Sequence, residues 1–168
     1  YMTAEDVGTS AELMSVVAER TKHVCGLPPE QGGVGEPADA TSEGVHASIL
    51  ATLDALYGSK DVVGRHLVIS GLGQVGGRLA KRLAAEGATL TVTDVNMGKK
   101  DLAESIGANW VEVPTAHTID ADLFVPCGLG GVLTSPVIEE LAVRGVVGAA
   151  NNQLADHSGA GQLAARGI

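Results

Sequence analysis

Residues 66–83 read HLVISGLGQVGGRLAKRL, and this stretch decides the fold. HLVIS is a short, nearly unbroken apolar run, the pattern of a strand buried on both faces. It passes into a glycine-rich turn and then into VGGRLAKRLAAEG, whose apolar positions recur at helical spacing. Strand, tight turn and helix together make the first half of a βαβ unit.

Working outward, the same alternation continues to the end of the chain. TLTVTD reads as a strand, KKDLAESIG as a short helix, and WVEV and DLFVP as strands. SPVIEELAVRG follows as a helix, VVGAA as a strand and SGAGQLAARG as a helix. Strands and helices in this order imply an α/β fold: a Rossmann-type doubly wound, mostly parallel sheet with helices on both faces. Upstream, TSAELMSVVAERT carries a capping box from Thr9 to Glu12 and an apolar face of Leu13, Val16, Val17 and Ala18. GLPPEQGGVGEPADA is too rich in glycine and proline for regular structure. A second helix, TSEGVHASILATLDALYG, places Val45, Ile49, Leu53 and Leu56 on one face and stops at Gly58. Residues 1–58 are therefore expected to form a helical lead-in, and residues 59–168 the sheet domain.

Composition agrees with that frame. A chain of 168 residues can bury one good core, and 23 glycines with only 2% aromatics suit a parallel sheet covered by small-residue helices. The formal charge of −9 argues against nucleic acid or an anionic membrane as partner. Cys25 and Cys127 lie far apart, and the five histidines show no ligand spacing, so no metal site is expected. Without a signal-like or long apolar stretch, a reducing cytoplasmic location is the expectation.

The turn itself carries chemistry. In Gly71-Leu72-Gly73-Gln74-Val75-Gly76, the first glycine permits the sharp turn and the second lets backbone approach a pyrophosphate. The third lets the helix pack closely on the strand. Free N–H groups and the helix dipole then face the phosphates. Asp94 ends the next strand 18 residues after Gly76, with Val95 beside it. A carboxylate there accepts hydrogen bonds from ribose hydroxyls and repels a 2′-phosphate, which favours NAD over NADP; Lys99 and Lys100 nearby temper that preference. A glycine turn without a ligand is the plain alternative.

Ligands of such sheets bind beyond the carboxyl ends of the strands. Two further strand ends there are suggestive: PCGLGG, with Cys127, Gly128 and Leu129 among its glycines, and AANNQL, where Ala149 and Ala150 precede Asn151 and Asn152. Paired amides suit a carboxamide and a ribose, since each can donate and accept. Cys127 reads as a packing residue, with no histidine placed to activate it.

EDVGTS, ATSEGV, GLGQVG, VTD, PCGLGG and AANNQL occur in an order that resembles the leucine, valine and phenylalanine dehydrogenases. These NAD-dependent L-amino acid dehydrogenases are related to glutamate dehydrogenase, and the resemblance covers essentially the whole chain. It implies reversible oxidative deamination of an apolar L-amino acid to the 2-oxo acid and ammonia, with a homo-oligomer for the intact enzyme. It places Asp6 as the acid/base on the substrate amine and Thr41 at the nicotinamide carboxamide. The glycine turn would hold the pyrophosphate and Asp94 the adenosine ribose. Cys127, Gly128, Leu129, Asn151 and Asn152 would line the nicotinamide side. The family's substrate lysines come from an N-terminal domain that this stretch does not contain, so little turnover is expected of these residues alone. The alternative from another class is a non-catalytic dinucleotide-sensing domain, which needs the turn and Asp94 but not Asp6 or the paired asparagines. Asp6 could also serve only to stabilise the helix that follows it.

Overall fold

Leu67 and Ile69 face one side of the strand predicted at HLVIS and Val68 the other, and the computed structural model of the chain covers both sides. Residues 1–6, 8–35 and 37–168 are described; Val7 of EDVGTS and Glu36 of the glycine- and proline-rich stretch lie outside them. The chain divides into two compact units, Tyr1–Ala40 and Thr41–Ile168.

In the first unit, Thr3 and Val24 form an isolated parallel bridge. Helix α1 spans Ala11–Ala18. Its cap is Ser10, which accepts from the Leu13 N–H, and not Thr9 as the capping-box spacing implied. The Thr9 hydroxyl is already engaged, taking the Asp6 N–H at 2.7 Å and donating to the Asp6 carbonyl at 2.8 Å. The buried face is Ala11 and Met14; Leu13 and Val16 are exposed, contrary to the apolar face read from sequence. The glycine- and proline-rich stretch holds one 3-10 turn, Pro29–Gln31. Helix α2, Ala38–Tyr57, begins three residues before the predicted start and straddles the boundary between the units. Gly58 ends it with φ +68°, its N–H bonded to the Asp54 carbonyl.

The second unit is a five-stranded parallel sheet. Its strands are β1 (His66–Ser70), β2 (Thr89–Thr93), β3 (Asn109–Trp110), β4 (Leu123–Pro126) and β5 (Gly145–Val146), in the order β3-β2-β1-β4-β5. The remaining helices are α3 (Gln74–Ala85), α4 (Lys100–Ser105), α5 (Ser135–Glu140) and α6 (Gly159–Ala165). One core cluster packs Val45, Ile49 and Leu53 of α2 and Leu79 and Leu83 of α3 on Leu67, Ile69, Leu123 and Val125. The opposite cluster packs Ile138 and Leu141 on Val68 and Phe124. Strands apolar on both faces thus become the middle layer of three. Leu56, assigned to the buried face of α2, is 39% exposed.

Two elements are shorter than their sequence pattern. β3 stops at Trp110, and Val113–Thr118 turns into a 3-10 helix, because Pro114 has no N–H for a ladder. α5 stops at Glu140: Leu141 turns extended at ψ 125°, and it and Val143 drop back into the second cluster. Arg166 closes that helix end, donating to the Ile138 carbonyl and, at 2.8 Å, to the Leu141 carbonyl. VVGAA keeps only its first Val in β5, and the rest leaves the sheet as loop.

The chain crosses from β3 over to β4, so β1 and β4 are neighbours whose following segments run in opposite directions. A crevice opens at their carboxyl ends.

Candidate functional site

The crevice is framed by glycine because backbone meets backbone there. Gly71, at φ +104°, sits so close to the end of β4 that a Cβ would lie 2.5 Å from the Gly128 nitrogen. A Cβ at Gly76 would overlap the Gly71 carbonyl oxygen at 1.9 Å, which brings α3 hard against the turn. Gly73 is different: a Cβ there meets nothing within 4 Å. Two glycines close the fold and one faces open space, the division a pyrophosphate seat requires.

Gly73 is the N-cap of α3, with no side-chain cap bond. The first-turn donors and the positive end of the helix dipole therefore face the opening beside Gly73. Leu72 contributes differently: its side chain is fully buried, and its N–H is given to Asp94 Oδ2 at 2.6 Å. Asp94 Oδ1 accepts the Asn96 N–H at 2.8 Å. The carboxylate at the end of β2 is thus fastened to the turn after β1, half-buried at the crevice rim.

A cleft of about 320 Å³ runs along this rim. Gly71, Gly73, Asp94, Val95, Cys127, Gly128 and Leu129, all singled out from sequence, line it. Val113 and Val132 line it too and were missed; reading WVEV as a strand hid the turn that carries Val113 to the rim. Val95 and Leu129 stand 88% and 71% exposed, so the cleft has uncovered apolar edges beside a carboxylate. That pairing suits a base and a sugar.

Cys127 lies at the back. Burial pushes its thiol up to about 11, against a smaller opposing effect from the Ala149 backbone. The thiol is a packing group and not a nucleophile at neutral pH.

The asparagine loop joins the same edge through backbone. Gly131 donates to the Asn152 carbonyl at 2.7 Å, and a Cβ at Gly130 would overlap the Asn151 carbonyl oxygen at 1.9 Å. Asn152 adopts a left-handed φ of 48°. Both asparagines are exposed, and Asn152 lines a separate cleft of about 790 Å³ with Leu133, Val146 and Leu163. Thr41 is exposed in the first turns of α2 and is not among the residues that line the 320 Å³ cleft. Gln74 is exposed and Val75 half-buried at the start of α3. Asp6 is exposed in the first unit, where its backbone is held by Thr9. Among the described residues no group of three or more potential ligands could hold a metal ion, and no helix is long and apolar enough to cross a membrane.

A dinucleotide fits this arrangement on structural grounds: one glycine left open, an uncapped helix start and a rim carboxylate meet at the switch point of the sheet.

The chain is similar to known proteins over its whole length. No family model matches the chain. The leucine dehydrogenase of Thermoactinomyces intermedius is 37% identical over 169 residues, covering 100% of this chain and 46% of the relative. The valine dehydrogenase of Streptomyces albus is 39% identical over 175 residues, covering 100% and 47%. The L-tryptophan dehydrogenase structure from Nostoc punctiforme superposes with a TM-score of 0.81 at 32% identity, covering 99% of this chain and 47% of that one. The chain spans about half the length of the curated relatives it matches. Over that half, it is a homologue of the leucine, valine and phenylalanine dehydrogenases.

Proposed function

We propose that these residues form the coenzyme-binding half of an NAD-dependent L-amino acid dehydrogenase acting on an apolar amino acid. One observation carries the reading: Gly71 and Gly76 are packed against backbone, while Gly73, between them, opens onto a cleft lined by Asp94. Homology to the leucine and valine dehydrogenases supports the reaction class.

In this reading the first turn of α3 donates N–H groups to the pyrophosphate, with Gly73 allowing the close approach. Asp94 accepts from ribose hydroxyls with the lone pairs that Leu72 and Asn96 leave free. Val95 and Val113 cover the base. Cys127, Gly128 and Leu129 flank the far end of the coenzyme, and the asparagine loop braces them through Gly131. When bound, NAD supplies a hydride acceptor for the substrate carbon. Asp6 is the proposed acid/base, and its exposed carboxyl suits proton exchange with a substrate amine. Thr41 is the proposed partner of the carboxamide. A cytoplasmic location and homo-oligomeric assembly belong to the same proposal.

The test is calorimetric titration of the chain with NAD. Binding in the micromolar range that is lost in Gly73→Val supports the reading; no heat of binding with the folded protein overturns it. Turnover in the whole polypeptide should fall by a factor of about 10² to 10⁴ on Asp6→Asn while NAD binding is kept, the range expected for a general acid/base.

A further inference from the structure

A second cleft, of about 400 Å³, also has Gly73 in its lining. Gly73, Gln74, Arg78, Lys81, Lys99 and Leu102 line it. Its charged side chains are all cations, in a chain whose formal charge is −9 with only 11 lysines and arginines. Such a concentration runs against the overall field of the protein and calls for a local cause.

The cations are placed differently. Arg78 Nη1 donates to the Gln74 carbonyl at 2.8 Å and to Gln74 Oε1 at 2.6 Å, which lays the guanidinium along the first turns of α3. Lys81 is exposed and Lys99 half-buried, and neither has an ion-pair partner among the described residues. The two adjacent lysines after β2 are not equivalent. Lys100 lies 5.5 Å from the Trp110 ring centroid, drawn to the aromatic face, while Lys99 lines the cleft.

We propose that this cleft is a phosphomonoester site, and that it admits the 2′-phosphate of NADP beside the ribose position at Asp94. The placement in the dinucleotide rests on the coenzyme reading above. Gly73 lines both clefts, so the cationic cleft adjoins the rim cleft whose lining includes Asp94. Asp94 is the residue expected to reject a 2′-phosphate, but two backbone N–H groups already hold its oxygens. Those donors offset part of its negative field. Lys99, Lys81 and Arg78 supply the compensating charge, as a nearby cation does where a 2′-phosphate is accepted. The chain then binds NADP as well as NAD.

The experiment is calorimetry on the full chain at low salt with NAD, NADP and inorganic phosphate, repeated on Lys99→Ala and Lys81→Ala. The expected result is an NADP Kd within about tenfold of that for NAD. Lys99→Ala should then weaken NADP about tenfold, equivalent to about 1.4 kcal/mol, and NAD less than about twofold. Lys81→Ala should act in the same direction more weakly. NAD binding with NADP at least about a hundredfold weaker overturns the inference and leaves the coenzyme reading intact. Equal losses for both dinucleotides in Lys99→Ala also overturn it. If neither dinucleotide binds, but phosphate binds and Lys99→Ala abolishes that binding, the phosphomonoester site stands and the coenzyme reading falls. If nothing binds, both fall.

Discussion

Asp94 Oδ2 takes the Leu72 N–H at 2.6 Å, so the end of one strand holds the turn that leaves its neighbour. With Oδ1 on the Asn96 N–H, one carboxylate organises both the β1–α3 and β2–α4 connections. Asp94→Ala leaves both donors unmatched at the rim. The expected loss is about 1–3 kcal/mol of stability, the range for an orphaned donor and a charge-assisted bond. Urea denaturation checks this, and a midpoint unchanged from the parent would show that the carboxylate does not support the turn.

Gly71 and Gly73 should respond oppositely to the same substitution. Gly71→Ala places a Cβ 2.5 Å from the Gly128 nitrogen at φ +104°, and is expected to destabilise by about 3 kcal/mol or more. Gly73→Ala meets nothing within 4 Å at φ −69°, and should change stability by less than about 1 kcal/mol. Its effect belongs to the ligand, as a methyl group set in the proposed phosphate seat. Paired thermal melts and NAD titrations separate the two, and equal destabilisation by both would contradict this division.

Cys127 should be chemically quiet beside Cys25. Its thiol is pushed from 9.0 to about 11 by burial, whereas Cys25 is exposed. Iodoacetamide at neutral pH is expected to label Cys25 first, as peptide mass spectrometry would show. The same shift makes stability depend on alkali. A thiol raised on folding contributes in full below its ordinary value of 9.0, and that contribution is lost as pH rises through about 11. Cys127→Ala should therefore flatten the decline in stability across that window.

Glu86 predicts the acid limb. Burial alone would raise its carboxyl, but hydrogen bonds from His46 at 2.7 Å and Arg82 at 3.0 Å outweigh that and hold it below 4.5. A carboxyl lowered on folding stabilises above its ordinary value, and that contribution disappears as pH falls through the lower one. Glu86→Gln should make the melting temperature less sensitive to acidification below about pH 4.5, where the unfolded carboxyl begins to take up its proton. An unaltered acid limb would mean that this link between α2 and α3 contributes nothing.

The sheet was legible because its strands are short apolar runs: Leu67, Val68 and Ile69 are apolar whichever face is counted, and both faces are buried. The glycine turn was legible because steric demand allows few residues at Gly71. Local choices between similar neighbours were not. Thr9 and Ser10 both carry hydroxyls suited to a cap, and only the Thr9 bonds to Asp6 decide between them. Lys99 and Lys100 are alike in sequence, and Trp110 separates them. The apolar pattern overruns β3 and α5 because hydrophobicity continues past their ends, through Val113 into a 3-10 turn and through Leu141 into the core. Backbone contacts such as Gly130 against Asn151 join distant segments and leave no periodic trace.

The rear wall at Gly128 has a kinetic corollary. β1, its glycine bend and α3 are local in sequence, but the surface behind that bend arrives only when β4 pairs with β1. A half-assembled sheet offers no pocket to grip a coenzyme, so added NAD should leave the refolding rate unchanged and retard escape from the finished state.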